Sequence, residues 1–226
     1  MLRVSVRLIA DAVLVALCLF VPAGTLAWWR AWVLLAVFLV VRGLGVLAVD
    51  RINPALLRER AKLPLRPDQP QSDKVLLLAV LATGFLGLPV IAGLDVFRWH
   101  VLLPPNPVVS ACGLLLFTLG WCLKSLALRA NRFATPAVRL QHERAHAVAD
   151  SGVYSVVRHP FYAADPLILV GLALWLGSFL AMLCALLPIA LVMFRLQLEE
   201  RFLHRELSGY SEYTAQVRYR LIPGVW

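Results

Sequence analysis

Two short runs hold most of the side chains that could do chemistry in this sequence. The first is Gly152-Val153-Tyr154-Ser155-Val156-Val157-Arg158-His159-Pro160-Phe161-Tyr162, which packs an arginine, a histidine and two tyrosines between apolar stretches. The second is Arg195-Leu196-Gln197-Leu198-Glu199-Glu200-Arg201, in which Arg195 and Glu199 share a helical face at i,i+4 spacing. An interfacial salt bridge is the plainest use of that pair, since charged residues commonly anchor the end of a membrane helix. In the first run, Pro160 biases His159 toward an extended backbone. Asp165 followed by Pro166 reads as an N-cap with proline at the first helical position. A helix N-terminus beside Arg158 and His159 would make an anion site suited to a carboxylate or phosphate.

The elements that must position these runs are membrane helices. Of 226 residues, 61% are hydrophobic and 15% charged, and the mean hydropathy is +0.78; soluble domains carry about 25% charged residues. Apolar segments cover roughly 8–28, 31–49, 75–94, 108–128 and 167–194, parted by Asn53-Pro54, Pro64 to Pro70 and Pro104-Pro105-Asn106-Pro107. Lipid offers the backbone no hydrogen bonds, so these segments are expected to be helices in one membrane domain. Arg3 and Arg7 before an apolar run that ends in Ala23-Gly24-Thr25-Leu26-Ala27 resemble a cleavable leader. The length of that run, and Trp28, Trp29 and Trp32 at its end, favour a retained span with an aromatic belt.

Lys and Arg alternate between connections: two before the first span, one after it, six in 50–74, one at Arg98, six in 124–161 and five from Arg195 onward. The positive-inside rule then puts both termini and the 50–74 and 124–161 connections in the cytoplasm. Segment 167–194 starts and ends on that side, yet is too short for two full spans of about 20 residues each. It is read as a helical hairpin turning at Gly177-Ser178, with Pro188 bending the return limb. The expected fold is an all-α membrane bundle of about four full spans plus this hairpin, with residues 1–138 as scaffold, 139–226 as the catalytic region and a cytoplasmic cofactor pocket. Arg42, inside the second span, reads equally as a functional group or as a side chain that snorkels to the interface.

The net charge of +9 is spread among hydrophobic spans without basic runs interleaved with aromatics, which argues for anionic lipid headgroups and against nucleic acid. Cys18, Cys112, Cys122 and Cys184 lack the paired spacing of a zinc or redox site and are read as small core residues; no metal site is expected. If the hairpin joins the two runs, basic groups, a carboxylate and aromatic faces converge. S-adenosylmethionine, with its carboxylate, ammonium and sulfonium, complements that set.

Residues 139–226 resemble the isoprenylcysteine carboxyl methyltransferase family, small membrane enzymes related to phospholipid methyltransferases. The resemblance rests on Gln141, the run His146-Ala147-Val148-Ala149, then Ser-Gly-Val-Tyr, Arg-His-Pro-x-Tyr, Arg195, the pair Glu199-Glu200 and Leu203. The tail, Gly209-Tyr210-Ser211-Glu212-Tyr213 and Val217 to Trp226, is similar to bacterial members, which implies a bacterial inner membrane. The resemblance implies an S-adenosylmethionine-dependent methyltransferase acting on a lipophilic, isoprenoid, prenylated or carboxylate-bearing substrate. It also implies a cofactor site lined by Gln141, His146, Ala147, Val148, Ala149, Tyr154, His159, Pro160, Phe161, Tyr162 and Glu199, with Arg158 and Glu200 beside them, and an Arg195 that contacts the acceptor. His159 is the candidate base should the acceptor be a hydroxyl. Two positions depart from the family: Ala164 and Ala145 stand where Gly is usual or frequent. A sterol-type NADPH-dependent reductase and a non-catalytic membrane binding protein are the alternative readings; Glu199-Glu200 would repel a nucleotide phosphate.

Overall fold

A computed structural model describes residues 2–61, 65, 69–141 and 144–226; Pro64 and Pro67, from the proline-rich connection, lie outside them. The described chain is helical: α1 (Leu2–Ala23), α2 (Trp29–Asp50), α3 (Pro54–Arg60), α4 (Gln71–Trp99), α5 (Pro107–Ala130), α6 (Pro160–Leu176), α7 (Phe179–Glu206) and α8 (Tyr210–Gln216). A 3-10 turn, Gly152–Ser155, precedes α6. Helices α1, α2, α4, α5 and α7 are long and apolar enough to cross a membrane, and the 17-residue α6 is shorter. Leu17, Val21, Leu44 and Leu115 are among many large apolar side chains on the outer surface. That inversion suits lipid as solvent, and the chain is an integral membrane protein.

Helix starts follow local chemistry. Asn53 accepts a hydrogen bond from Leu56 N and Asn106 from Val109 N, and in each case proline fills the first helical position. The hairpin turns where expected: Gly177 ends α6 at φ +95°, and the Ser178 hydroxyl accepts from Ala181 N to open α7. Its limbs exceed the apolar run 167–194, because both helices continue through polar residues lining a cavity, so α7 alone reaches spanning length. A second expectation is corrected as well. Asp165 is no N-cap: α6 already begins at Pro160, with His159 before it, and Pro166 lies inside the helix. Asp165 instead pairs with Lys124 at 2.5 Å.

Helices α5 and α6 meet almost backbone to backbone. A Cβ on Gly171 would lie 2.5 Å from Phe117 N, and one on Gly113 2.7 Å from Trp175 N. Small residues allow such closeness where lipid supplies no hydrophobic drive for association. Ala164, fully buried on the same face, belongs to this packing, so its extra methyl sits away from the cavity. The cysteines differ from expectation: Cys112 and Cys122 are exposed on the outer face of α5, where lipid tolerates a thiol, and Cys18 and Cys184 are half-buried.

Candidate active site

A cavity of about 470 Å³ opens at one end of the bundle, a size typical of small-molecule sites. The two chemistry-bearing runs meet in it. The Tyr162 hydroxyl on α6 donates to Glu199 Oε2 on α7, and the Arg195 guanidinium stands 5.9 Å from the Tyr162 ring centre. His146, Ala147, Val148, Ala149, Tyr154, Arg158, His159, Phe161, Tyr162, Arg195 and Glu199 all line the cavity. Gln141, Pro160 and Glu200 do not.

Each of those three has another position in the fold. Gln141, 1% exposed, donates from Nε2 to Phe133 O at 2.6 Å and accepts from Arg144 Nη1 at 2.6 Å, bracing the connection between α5 and α6. Pro160 is buried at the first position of α6. Glu200 is a buried counter-ion, 3.1 Å from Arg158 Nη2, 3.7 Å from His159 Nε2 and 2.5 Å from Arg220 Nε. The tail reinforces that knot, because Arg158 N donates to Tyr219 O and His159 N to Arg220 O, both at 2.9 Å. The i,i+4 salt bridge considered for Arg195 and Glu199 is replaced by a longer-range one, in which Arg195 Nε donates to Asp73 Oδ1 at 2.7 Å and Nη2 to Pro136 O at 2.5 Å.

Asp73 is the residue that sequence reasoning missed. Buried at the start of α4, it also accepts from Val138 N at 3.0 Å and from Gln69, so it ties three segments together. Its sequence signal was an acid in the first turn of an apolar helix, a common place for one. Arg42 is resolved too: it pairs with Asp11 at 2.9 Å, lies 5.0 Å from the Trp121 ring centre and lines the cavity. Tyr210 and Tyr213 from α8 complete the wall; the Tyr210 hydroxyl is 3.3 Å from His159 Nε2, and that of Tyr213 donates to Tyr154 O at 2.7 Å.

The electrostatics favour a ligand with anionic groups. Burial raises the phenols of Tyr154, Tyr210 and Tyr213 above their ordinary range, with the Glu199 carboxylate pushing Tyr154 and both Glu200 and Glu199 pushing Tyr210 the same way, so all three are neutral at physiological pH. Burial, with Arg42 nearby, lowers Arg60 to about 10, so it keeps its charge there. Among the described residues, Arg158 Nε is buried without a hydrogen-bond partner. A buried unpartnered donor costs about 1–3 kcal/mol. Arg158 lines the cavity with its guanidinium paired to Glu200.

Fold and cavity together define a class: a multi-span helical membrane protein with a polar, guanidinium- and carboxylate-lined cleft at one end of the bundle. The phospholipid methyltransferase family model matches residues 108–208 of this chain. Over 121 residues the chain is 31% identical to a probable protein-S-isoprenylcysteine O-methyltransferase of rice, in both Oryza sativa subsp. indica and subsp. japonica. It is 26% identical over 162 residues to protein-S-isoprenylcysteine O-methyltransferase A of Arabidopsis thaliana. The rice matches cover 48% of this chain and 59% of each relative; the Arabidopsis match covers 65% and 78%. The chain therefore spans less than two thirds of the rice proteins' length. The family expected from the sequence is the one matched, but over different bounds: the model starts at residue 108 rather than 139, taking in α5 with the hairpin, and ends at 208, before the tail.

Proposed function

We propose that this protein is an S-adenosylmethionine-dependent methyltransferase that methylates a carboxylate on a lipophilic molecule at the cytoplasmic face of its membrane. The observation that supports it most is the junction of Tyr162, Glu199 and Arg195 in one cavity, with Arg158 at the same wall. The relatives' printed activity agrees with it and gives the sterol-type reductase reading no support. The same connections that line the cavity carry most of the basic residues, which supports placing that end in the cytoplasm.

The donor set fits the cofactor. Arg158 takes the carboxylate, Glu199 the amino group through the oxygen that Tyr162 leaves open, and neutral Tyr154 and Tyr210 offer ring faces to the sulfonium. When bound, S-adenosylmethionine supplies an electrophilic methyl group. Transfer to a carboxylate forms an O–C bond as an S–C bond breaks; the electron pair stays on sulfur and no proton moves. This chain's part is alignment and exclusion of water. Arg195 is held by Asp73 and Pro136 O, which leaves Nη1 to orient the acceptor. His159 is half-engaged by Tyr210 and Glu200 and would be needed as a base only for a hydroxyl acceptor.

Isothermal titration of S-adenosylmethionine into the purified protein in detergent tests the division of roles. Glu199→Ala is expected to weaken cofactor binding about tenfold or more, as loss of a charged hydrogen-bond partner does. Arg195→Ala is expected to bind the cofactor nearly as well while losing turnover. Equal loss of cofactor affinity in both variants, or no binding to the unaltered protein, refutes the assignment.

A further inference from the structure

Residues 217–226 form a strap outside the cavity, none of them lining it. Leu221 N and Ile222 N both donate to Trp226 O, at 2.9 and 3.0 Å, so residues 221–226 close into a compact turn, with Gly224 at φ +80°. Leu221 is buried against Tyr162, Val192 and Leu196. Ile222, Val225 and Trp226 are exposed, Val225 at 76%. The depth of that contact says what solvent they meet. The hairpin turn is level with the start of α2, since a Cβ on Gly177 would lie 2.9 Å from Arg30 Nη1. Counted from Phe179, Val192 and Leu196 lie about 20 and 26 Å along α7. The hydrocarbon layer is about 30 Å thick, so Leu221 packs at a level that still borders lipid. Phe194, between those two residues of α7, is exposed on the outer surface as well. The composition of the strap agrees with that level. It carries Arg218 and Arg220 and no acid, and the Arg220 guanidinium lies 5.3 Å from the Trp226 ring centre. Tryptophan beside arginine suits the layer where acyl chains meet headgroups.

We propose that the exposed face of this turn, Ile222, Val225 and Trp226, docks into the acyl–headgroup boundary of the bilayer, and that this docking holds the strap against the cavity wall. Lipid supplies the apolar contacts that the chain does not give these three side chains, and continues the lipid-facing surface of α7 onto the turn. The strap reaches the wall through Tyr219 O and Arg220 O, which accept from Arg158 N and His159 N at 2.9 Å, and through Arg220 Nε, 2.5 Å from Glu200 Oε2. A turn released from the bilayer therefore loosens the backbone of Arg158 and His159, two residues of the cavity wall. Docking makes no use of the cofactor and does not rest on the methyltransferase reading.

The test places a nitroxide on the turn in the full chain, with Cys18, Cys112, Cys122 and Cys184 replaced by alanine, in nanodiscs of phosphatidylcholine and phosphatidylglycerol. Labels introduced by Val225→Cys, by Leu187→Cys on the exposed face of α7 and by Glu212→Cys on the exposed face of α8 are compared. Collision with oxygen, which concentrates in lipid, is set against collision with a neutral nickel chelate, which stays in water. The Val225 label is expected to match the Leu187 label, with oxygen dominant, whereas the chelate dominates at Glu212. Val225→Asp then reads the coupling, because a side chain this exposed costs almost nothing to replace if it faces water. In the same nanodiscs it is expected to speed hydrogen exchange of the peptide containing Arg158 and His159 at least about fivefold, the scale of one charge expelled from the interface. A Val225 label that meets the chelate as freely as the Glu212 label overturns the proposal. So does a label shielded from both reagents by a second copy of the chain, and so does unchanged exchange in Val225→Asp. Titration of S-adenosylmethionine into the same nanodiscs keeps the two readings apart: no binding by the unaltered protein strikes the methyltransferase reading and leaves the docking result standing.

Discussion

The two ends of this bundle are built on opposite rules. At the end away from the cavity the connections are short and the polar groups are satisfied. Ser178 Oγ donates to Asp95 Oδ2 at 2.6 Å, Val101 N donates to Asp95 Oδ1 at 3.0 Å, and Arg30 Nη1 reaches Ser110 Oγ at 3.1 Å and Trp175 O at 3.3 Å. Trp175 Nε1 returns a hydrogen bond to Arg30 O at 2.7 Å. At the cavity end the connections are long, and the two buried side-chain nitrogens without a hydrogen-bond partner among the described residues, Trp121 Nε1 and Arg158 Nε, are both found there. Unsatisfied buried groups are rare and call for a reason. One end is optimised for holding helices together, and the other tolerates unmatched buried donors around a cavity.

The largest expected effect comes from cutting the hub that holds the open end in shape. Asp73→Ala leaves the buried Arg195 guanidinium without its carboxylate and frees Val138 N. Breaking a buried pair on one side costs about 3–5 kcal/mol. The variant should melt at a markedly lower temperature, and turnover should fall with it because Arg195 is no longer fixed. A melting point near that of the unaltered protein would show that Asp73 does not organise this end.

The closed end should respond differently. Ser178→Ala removes both a donor to Asp95 and the cap that accepts from Ala181 N, a loss of about 1–3 kcal/mol. Thermal unfolding should register that loss, while S-adenosylmethionine affinity stays within about twofold, since sites this far apart couple weakly. A parallel loss of cofactor affinity would mean that the two ends are not separable.

Much of this contrast was legible in the sequence, and what escaped did so for physical reasons. The hairpin could be read because charge alternation and Gly177 both demanded a return at that point. Glu199 and Tyr162 could be matched because each follows from the hairpin once it closes. Asp73 could not, since its partner Arg195 is 122 residues away and no helical spacing links them. The start of α6 was misplaced because His159-Pro160 and Asp165-Pro166 offer the same signal, proline at a first helical position, and only packing of α6 on α5 decides between them. The connection 131–149 has no periodicity to read, and the hydrogen bond from Gln141 to Phe133 O, which ties residues 133 and 141 together, has no sequence signal.

Alkaline pH offers a graded way to open the cavity end alone. Tyr154, Tyr210 and Tyr213 have folded-state values raised above the unfolded 10.0, so the folded state holds its phenol protons more tightly. Their contribution is fully present below pH 10 and declines as pH rises above it. Tyrosinate absorbance between pH 10 and 11.5 should therefore lag behind that of a free phenol until the α8 tail loosens, with hydrogen exchange rising in α8 before it rises at the Arg30–Ser110–Trp175 clamp. Simultaneous opening of both ends would erase the distinction.

The smallest expected effect concerns a residue that departs from the family pattern. Ala145 sits at φ +49° in the left-handed region, where the methyl group crowds the backbone and glycine does not. Its position, next to the cavity-lining His146, ties that strain to the cavity wall. For an alanine the cost is about 1 kcal/mol. Ala145→Gly relieves it in the folded state and raises the entropy of the unfolded chain by a comparable amount, so melting temperature should move little or rise slightly. The more sensitive readout is cofactor on-rate: if the strain holds 145–149 in the binding geometry, glycine should slow association without altering the closed end. Were association instead faster, with stability gained, the alanine would be a tolerated burden at this position, and the reserve of strain at the open end would lie wholly in its unpartnered donors.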